Sequence, residues 1–370
     1  IIEQYMDALK SGPSGLNSII RGFIIEGEPG VDAGGVQKTV WTLMVNEFKS
    51  EQFCEIVNDI IYFNDSIDIE FAPKDNSSII KKFYVIYKND TIDYFENESG
   101  RISSSKFNSV GKHRIKLICH INNDKKETYY SSINLFPNNN PNKLKFKIKN
   151  IFPHDTDAYT QGLTFDKNRF FESTGRRGFS SLKEVELKSG KTIKKIDLDN
   201  KYFGEGITVF NNKIYQLTWE ANLGFVYDKN SFEKIDEFKY NHEGWGITTY
   251  DNKLLISDGT ETIYFIDPES YKLIKTIQVY NKNGPIKLIN ELENVKGKIF
   301  ANIYGKEEII IFNPETGIVE SILDLNGIFN KKNYNKKFDV LNGVAYNSIT
   351  NQLFVTGKLW PSLFEIEIIN

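Results

Sequence analysis

QGLTFDKNRFFESTG (161–175), EGITVFNNKIYQLTW (205–219), WGITTYDNKLLISDG (245–259), NELENVKGKIFANIY (290–304) and NGVAYNSITNQLFVTG (342–357) are five variants of one unit. Each opens on a polar residue or an indole and reads as strand, turn, strand. The turns DKN, NNK, DNK, KGK and SITNQ put Asn, Asp or Gly where a tight hairpin needs unusual backbone angles. A second hairpin recurs as ELKSGKTI (186–193), DKNSFEKI (228–235), DPESYKLI (267–274) and NPETGIVE (313–320). Repeats about 40 to 50 residues apart are the period of four-stranded propeller blades, so residues 143–370 are expected to form a five-bladed β-propeller. The last unit ends at LFEIEIIN (363–370), with room for three strands, and KLKFKIKNIF (143–152) is expected to supply the fourth. That closure leaves the ring without a free edge.

Upstream, the period changes. SIDIEFA (66–72), KKFYVIY (81–87), TIDYF (91–95), GKHRIKLICHI (111–121) and KETYYSSINLF (126–136) alternate apolar with polar residues between Asn, Asp, Gly and Ser clusters. Residues 66–140 thus read as a small antiparallel β-sandwich, immunoglobulin-like, with His113 and His120 as ordinary strand residues. FPNNNPNK (136–143) reads as a linker. Residues 1–60 read as a helical segment, from EQYMDALK (3–10) to VQKTVWTLMVNEFKSEQFCEIVNDII (36–61). The expected fold class is mainly β.

Composition narrows the functions. The 370 residues carry 46 basic and 49 acidic side chains, a net charge of −3 spread along the chain, which gives no nucleic-acid footprint. Cys54 and Cys119 are too few for a disulfide framework; one bridge or two buried thiols are both open. No run approaches the ~20 apolar residues of a membrane span. IIEQYMDALK lacks the basic-then-apolar order of an export signal.

The first strand of every blade lines a propeller's channel, so Gln161, Glu205, Glu243 with Trp245, Asn290 with Glu291, and Asn342 should converge. Such a polar pocket could serve catalysis or only closure of the ring; the repeat alone leaves both open.

FPHDTDAYTQGL (152–163), FFESTGRRGFSSLKEVEL (170–187), YFGEGITV (202–209), YQLTWEANLGFVYD (215–228), EGWGITTYDNKLLISDGT (243–260), INELENVKGKIFANIY (289–304), VLNGVAYN (340–347) and LFVTGKLWPSLFEIE (353–367) resemble, in order, the glutaminyl cyclases (glutaminyl-peptide cyclotransferases) of plants and bacteria. The resemblance spans about 220 residues and implies an aminoacyltransferase. Its reaction converts the N-terminal glutaminyl residue of a peptide or protein to pyroglutamate with loss of ammonia, without cofactor or catalytic metal. It carries the acid/base role to Glu205 and a supporting cation to Lys358. Gln161 and Asn290 become amide-recognising groups, and Phe203, Trp219, Trp245 and Tyr304 the walls of the substrate pocket. Those aromatics should desolvate Glu205 and raise its pKa. Two positions depart from the family: Tyr159 stands where Phe is common, and Tyr304 where plant members carry an indole. His154 reads as structural, and His242 could lie near the channel. The resemblance further implies a periplasmic or secreted monomer. The alternative is a non-catalytic propeller that binds peptides or glycans.

RGFIIEGEPGVDAGGVQK (21–38) resembles the opening of a HECT ubiquitin-ligase domain over about 30 residues within 21–50. Nothing after Cys54 resembles the rest of that domain or its distant cysteine, so no chemistry is assigned to it.

Overall fold

A computed structural model of the chain describes residues 52–56, 61–73, 80–121, 125–167, 169–330 and 338–369. The helices expected before residue 51 and the HECT-like stretch lie outside them. The described residues are almost entirely β, with one 3-10 turn at Ser104–Lys106. Contacts divide the chain into two units. Among the described residues, one holds 52–56, 67–101 and 116–131, and the other holds 61–66, 102–115 and 132–369.

Eight strands come first: β1 (Gln52–Ile56), β2 (Ile61–Tyr62), β3 (Ser66–Pro73), β4 (Ile80–Tyr87), β5 (Asp90–Phe95), β6 (Ser99–Ser103), β7 (Gly111–Ile121) and β8 (Lys126–Phe136). They form two sheets, ordered β1-β3-β6 and β2-β8-β7-β4-β5. All five strands expected here are present. QFCEI (52–56), expected as the tail of a helix, is instead a strand, pairing antiparallel with β3 at Cys54↔Phe71. A five-residue segment takes its structure from the neighbour that completes its hydrogen bonds, which local propensity does not encode. Cys119 is a free, buried thiol, so the bridge to Cys54 is not formed. Burial pushes its pKa up to about 12, which suits a packing role.

After residues 137–141 comes β9 (Asn142–Pro153), then a series of four-stranded sheets. The first is β10 (Thr160–Asp166), β11 (Arg169–Thr174), β12 (Ser181–Val185) and β13 (Thr192–Asp197). The second is β14 (Gly204–Phe210), β15 (Lys213–Thr218), β16 (Leu223–Asp228) and β17 (Lys234–Lys239). The third is β18 (Ile247–Tyr250), β19 (Lys253–Ser257), β20 (Thr262–Ile266) and β21 (Leu273–Gln278). A small hairpin of β22 (Tyr280–Asn281) and β23 (Gly284–Pro285) follows. Next are β24 (Ile289–Val295), β25 (Lys298–Ile303), β26 (Glu308–Phe312) and β27 (Val319–Asp324), and last β28 (Leu341–Asn347), β29 (Gln352–Gly357) and β30 (Ser362–Ile369).

As expected, β9 supplies the fourth strand of the last sheet, pairing antiparallel with β30 from Ser362↔Pro153 to Ile369↔Lys145. Its first residues also pair in parallel with β27 at Ser321↔Asn142, Ile322↔Lys143 and Leu323↔Leu144, joining the fourth and fifth sheets into one of eight strands. That parallel join was not legible, because β27 and β9 each read as an ordinary outer strand.

The hairpins explain why these sequences make these sheets. Asn211 and Asn212, Asp251 and Asn252, and Lys296 and Gly297 all have positive φ, the geometry of a two-residue turn matched to strand twist. In the next hairpin Gly190, Phe232, Tyr271 and Gly317 take the left-handed position. Asp228, Asp267 and Asn313 each accept turn N–H groups on Oδ1.

The core is distributed between sheets. Phe171 and Leu182 pack on Ile207, Ile214 and Phe225; Tyr215 and Leu217 on Ile247 and Leu254; Leu255 and Phe265 on Leu292 and Ile299. Ile309 and Ile311 then pack on Val344 and Val355, and Phe354 and Leu363 return to Leu163 and Phe170. The first strands neighbour one another in the same cyclic order: β10, β14, β18, β24, β28 and again β10. They are buried along most of their length although they carry polar residues such as Gln161, Glu205, Asn290 and Asn342. Outer strands such as β13 and β17 are exposed and carry lysines, which discourage edge pairing.

Candidate active site

The residue that opens each repeat does not sit in regular pairing. The β10/β11 register jumps from Thr160 to Gly162, β14/β15 from Gly204 to Ile207, β24/β25 from Ile289 to Leu292, and β28/β29 from Leu341 to Val344. Gln161, Glu205, Asn290 and Asn342 therefore occupy bulges, which turn a side chain out of the sheet's alternation. Trp245 stands just before β18. The residue after each is Gly162, Gly206, Gly246 or Gly343 in four repeats. A Cβ on Gly246 would lie 2.1 Å from the Asn290 carbonyl oxygen and one on Gly162 2.5 Å from the Ile207 nitrogen, so the strands meet too closely for a side chain. The fourth repeat has Glu291 there instead. Its carboxylate accepts the N–H of Leu163 (3.2 Å) and of Val344 (3.0 Å), the residues that follow two of those glycines.

These bulges surround a cavity of about 300 Å³ lined by Tyr159, Gln161, Phe203, Glu205, Trp219, Trp245, Asn290, Tyr304 and Lys358. All eight residues expected at the site are there, with Tyr159 as the ninth. Asn342, expected to converge on the same axis, lies behind Gln161 instead, donating to the Thr160 carbonyl at 3.0 Å.

Glu205 is 5% exposed and accepts a hydrogen bond from Gln161 Nε2 at 2.8 Å. Burial pushes its carboxyl well above the ordinary carboxylate range; the Lys358 charge pulls it back, Glu243 pushes it further up, and the Gln161 N–H lowers it. Lys358 is 2% exposed, and burial lowers its pKa against the opposing charges of Glu205 and Asp339. Its ammonium lies 4.9 Å from the Tyr159 ring centroid and 5.4 Å from that of Tyr304. Tyr159 donates to Asp339 Oδ2 at 2.8 Å. Both departures from the family pattern therefore keep an aromatic face that holds the lysine.

The walls are tied together. Phe203 meets Trp219 and Tyr159 edge-on, with centroids 5.7 and 6.3 Å apart, and Trp245 meets Tyr304 at 6.0 Å. Both indoles, Trp219 and Trp245, donate to Glu243 Oε2 at 2.8 Å. Sequence reasoning placed Glu243 near the channel but missed this clamp, whose signal was an acidic residue two before one indole and opposite another. Asn290 Oδ1 is buried and has no partner among the described residues. An acceptor left so beside a cavity is a place for a ligand N–H.

His154 is placed as read, and His242, read as near the channel, is not. His154 is buried, bonding the Trp360 carbonyl (2.6 Å) through Nδ1 and Glu172 (3.0 Å) through Nε2, while Thr160 donates to the same Glu172 oxygen at 2.7 Å. It links the loop after Lys358 to β11 and, through Glu172, to Thr160 beside Gln161. His242 stacks on Tyr264 at 3.7 Å and does not line the cavity.

The profile of the glutamine cyclotransferase family matches residues 118–368. The chain is 38% identical over 221 residues to a glutaminyl-peptide cyclotransferase of Arabidopsis thaliana, covering 59% of this chain and 69% of that protein. Its fold is similar to the crystal structure of Myxococcus xanthus glutaminyl cyclase, with a TM-score of 0.59, 34% identity, and coverage of 62% of this chain and 98% of the other. With that cavity behind a family match over most of its length, the chain belongs to the glutamine cyclotransferase family.

Proposed function

We propose that the chain is a glutaminyl-peptide cyclotransferase that closes an N-terminal glutaminyl residue to pyroglutamate with release of ammonia. The five sheets are the blades of a five-bladed propeller with the site on its axis, and the strands before β9 form an immunoglobulin-like module. The observation that carries the activity is a buried carboxyl of raised pKa, Glu205, beside a buried cation in a cavity with room for one residue.

The substrate's α-amine attacks its own side-chain amide carbon, so the nucleophile is already tethered and the site need only hold one conformer. A free α-amine titrates near pH ~8, so a useful fraction is neutral at physiological pH. As the nitrogen–carbon bond forms, Glu205 takes the proton that the amine must lose. It returns that proton to the amide nitrogen as the carbon–nitrogen bond breaks, and ammonia leaves. Glu205 ends as it began, and such a shuttle contributes on the order of 10² to 10⁴ fold. Gln161 orients Glu205; Lys358 offsets charge on the tetrahedral oxygen. Asn290 Oδ1 accepts a substrate N–H, and the aromatic walls exclude water. The enzyme acts as a monomer in a periplasmic or secreted setting, and residues 143–370 suffice for the chemistry.

A Gln-initiated dipeptide amide incubated with the protein should release ammonia and give a product lighter by one ammonia. Glu205→Gln should remove turnover while leaving thermal unfolding unchanged. Saturable binding with no mass change would instead make the chain a peptide-binding propeller, and unchanged turnover in E205Q would remove Glu205 from the chemistry.

A further inference from the structure

A cavity that takes one glutaminyl residue leaves the rest of the peptide at its mouth, where the loop between β11 and β12 stands. Gly175 is pressed against the cavity wall: its N–H bonds the Tyr159 carbonyl at 2.8 Å, and a Cβ there would fall 2.4 Å from Phe203 and 3.0 Å from Gln161. The next residue, Arg176, is therefore fixed at the mouth. Its φ is +80°, a conformation that costs a non-glycine residue free energy, and its carbonyl accepts from Phe179 N (2.9 Å) and Ser180 Oγ (2.8 Å). The exposed guanidinium lies 4.5 Å from the Tyr159 ring centroid.

The charges around it are already engaged. Arg177 pairs with Glu220 at 2.6 Å, Glu243 holds the two indoles, and Asp339 accepts from Tyr159. No carboxylate among the described residues forms an ion pair with Arg176. Strain is retained at an exposed position whose side chain lies over Tyr159, a wall of the cavity, and whose charge has no ion-pair partner among the described residues.

We propose that Arg176 is a specificity-determining residue, which favours substrates whose residue immediately after the N-terminal glutamine is acidic. Extended chain advances about 3.3 to 3.6 Å per residue, so the second side chain emerges one step from the cavity, beside the Tyr159 ring. The inference rests on the cyclotransferase reading.

The test compares Gln-Asp-Ala-amide, Gln-Ala-Ala-amide and Gln-Lys-Ala-amide on the full chain and on Arg176→Gly and Arg176→Glu. Glycine accepts the backbone angle, so R176G removes the guanidinium without disturbing the loop. For an exposed pair the wild-type kcat/KM ratio of the Asp to the Ala peptide should be roughly two- to fivefold at low salt. The ratio should fall toward one at high salt and in R176G, and R176E should turn the preference toward Lys. The corresponding pyroglutamyl peptides, titrated by indole fluorescence, read the same preference without turnover. Equal Asp-to-Ala ratios in wild type and R176G would overturn the proposal while leaving the activity standing. Binding preferences that follow residue 176 without cyclisation of any peptide would uphold it and sink the activity.

Discussion

Glu291→Ala should cost the protein a large part of its stability without touching the chemistry directly. The carboxylate is 1% exposed and serves two backbone N–H groups, those of Leu163 and Val344, both on fully buried residues. Truncation strands both donors at about 1–3 kcal/mol each, and the cavity left behind adds to this, giving about 3–6 kcal/mol. Against a typical total of about 5–15 kcal/mol, that is enough to move a urea midpoint well outside error. Glu291→Gln should cost less, since one amide oxygen still serves one N–H. Neither replacement titrates, so both penalties share the pH dependence of the wild-type carboxyl. Burial, with the Glu293 charge adding to it, raises the Glu291 pKa despite the two N–H groups. A raised folded-state pKa means that its favourable contribution is complete below the ordinary 4.5 and declines as pH rises toward the folded value. The E291Q penalty should therefore shrink between acid and neutral pH. Equilibrium urea unfolding followed by indole fluorescence at several pH values measures this. An E291A variant within 0.5 kcal/mol of wild type, a negligible change for a buried site, would refute the idea that this carboxylate closes the seam.

Three further outcomes follow from the site and the turns. Glu243→Gln keeps an acceptor for both indoles but removes the charge that raises Glu205, so the acid limb of kcat/KM should move to lower pH; weaker indole bonds should raise KM about two- to fivefold. His154→Gln should destabilise by about 3–5 kcal/mol, the cost of leaving buried Glu172 unpaired. Burial opposes the charged imidazole, yet Glu172 wins and raises its pKa, so the His154 contribution is full below 6.5 and lost as pH rises through the folded value, as thermal unfolding across pH 5 to 9 should record. Phe232→Gly frees a left-handed residue (φ 59°) but empties the space against Phe171, and should still lower stability by about 2–4 kcal/mol in urea titrations.

Much of the fold was legible because the repeat writes its constraints at fixed offsets. Asn, Asp and Gly mark the hairpins, and the opening polar residue marks the bulge that faces the cavity. KLKFKIKNIF could be assigned to the last sheet because that sheet was one strand short. The segment QFCEI was misread because five residues carry too little pattern to outweigh a pairing partner. The site was legible as a set of residues but not as a network. The Glu243 clamp and the Tyr159–Asp339 bond each depend on side chains from different loops meeting, and one chain's spacing does not encode that. Glu291 was seen beside Asn290, yet its work as an acceptor for two other strands needed coordinates.

The closing strand bears on how the chain must be made. Asn150 on β9 bonds Glu365 on β30, 215 residues later. At 5–20 residues per second a ribosome needs roughly 10 to 40 s to deliver that partner. For that interval β9, rich in lysine and apolar residues, waits without that partner. The lysines at 143, 145, 147 and 149 alternate with apolar residues along it, so the nascent edge repels its copies on neighbouring chains until β30 arrives.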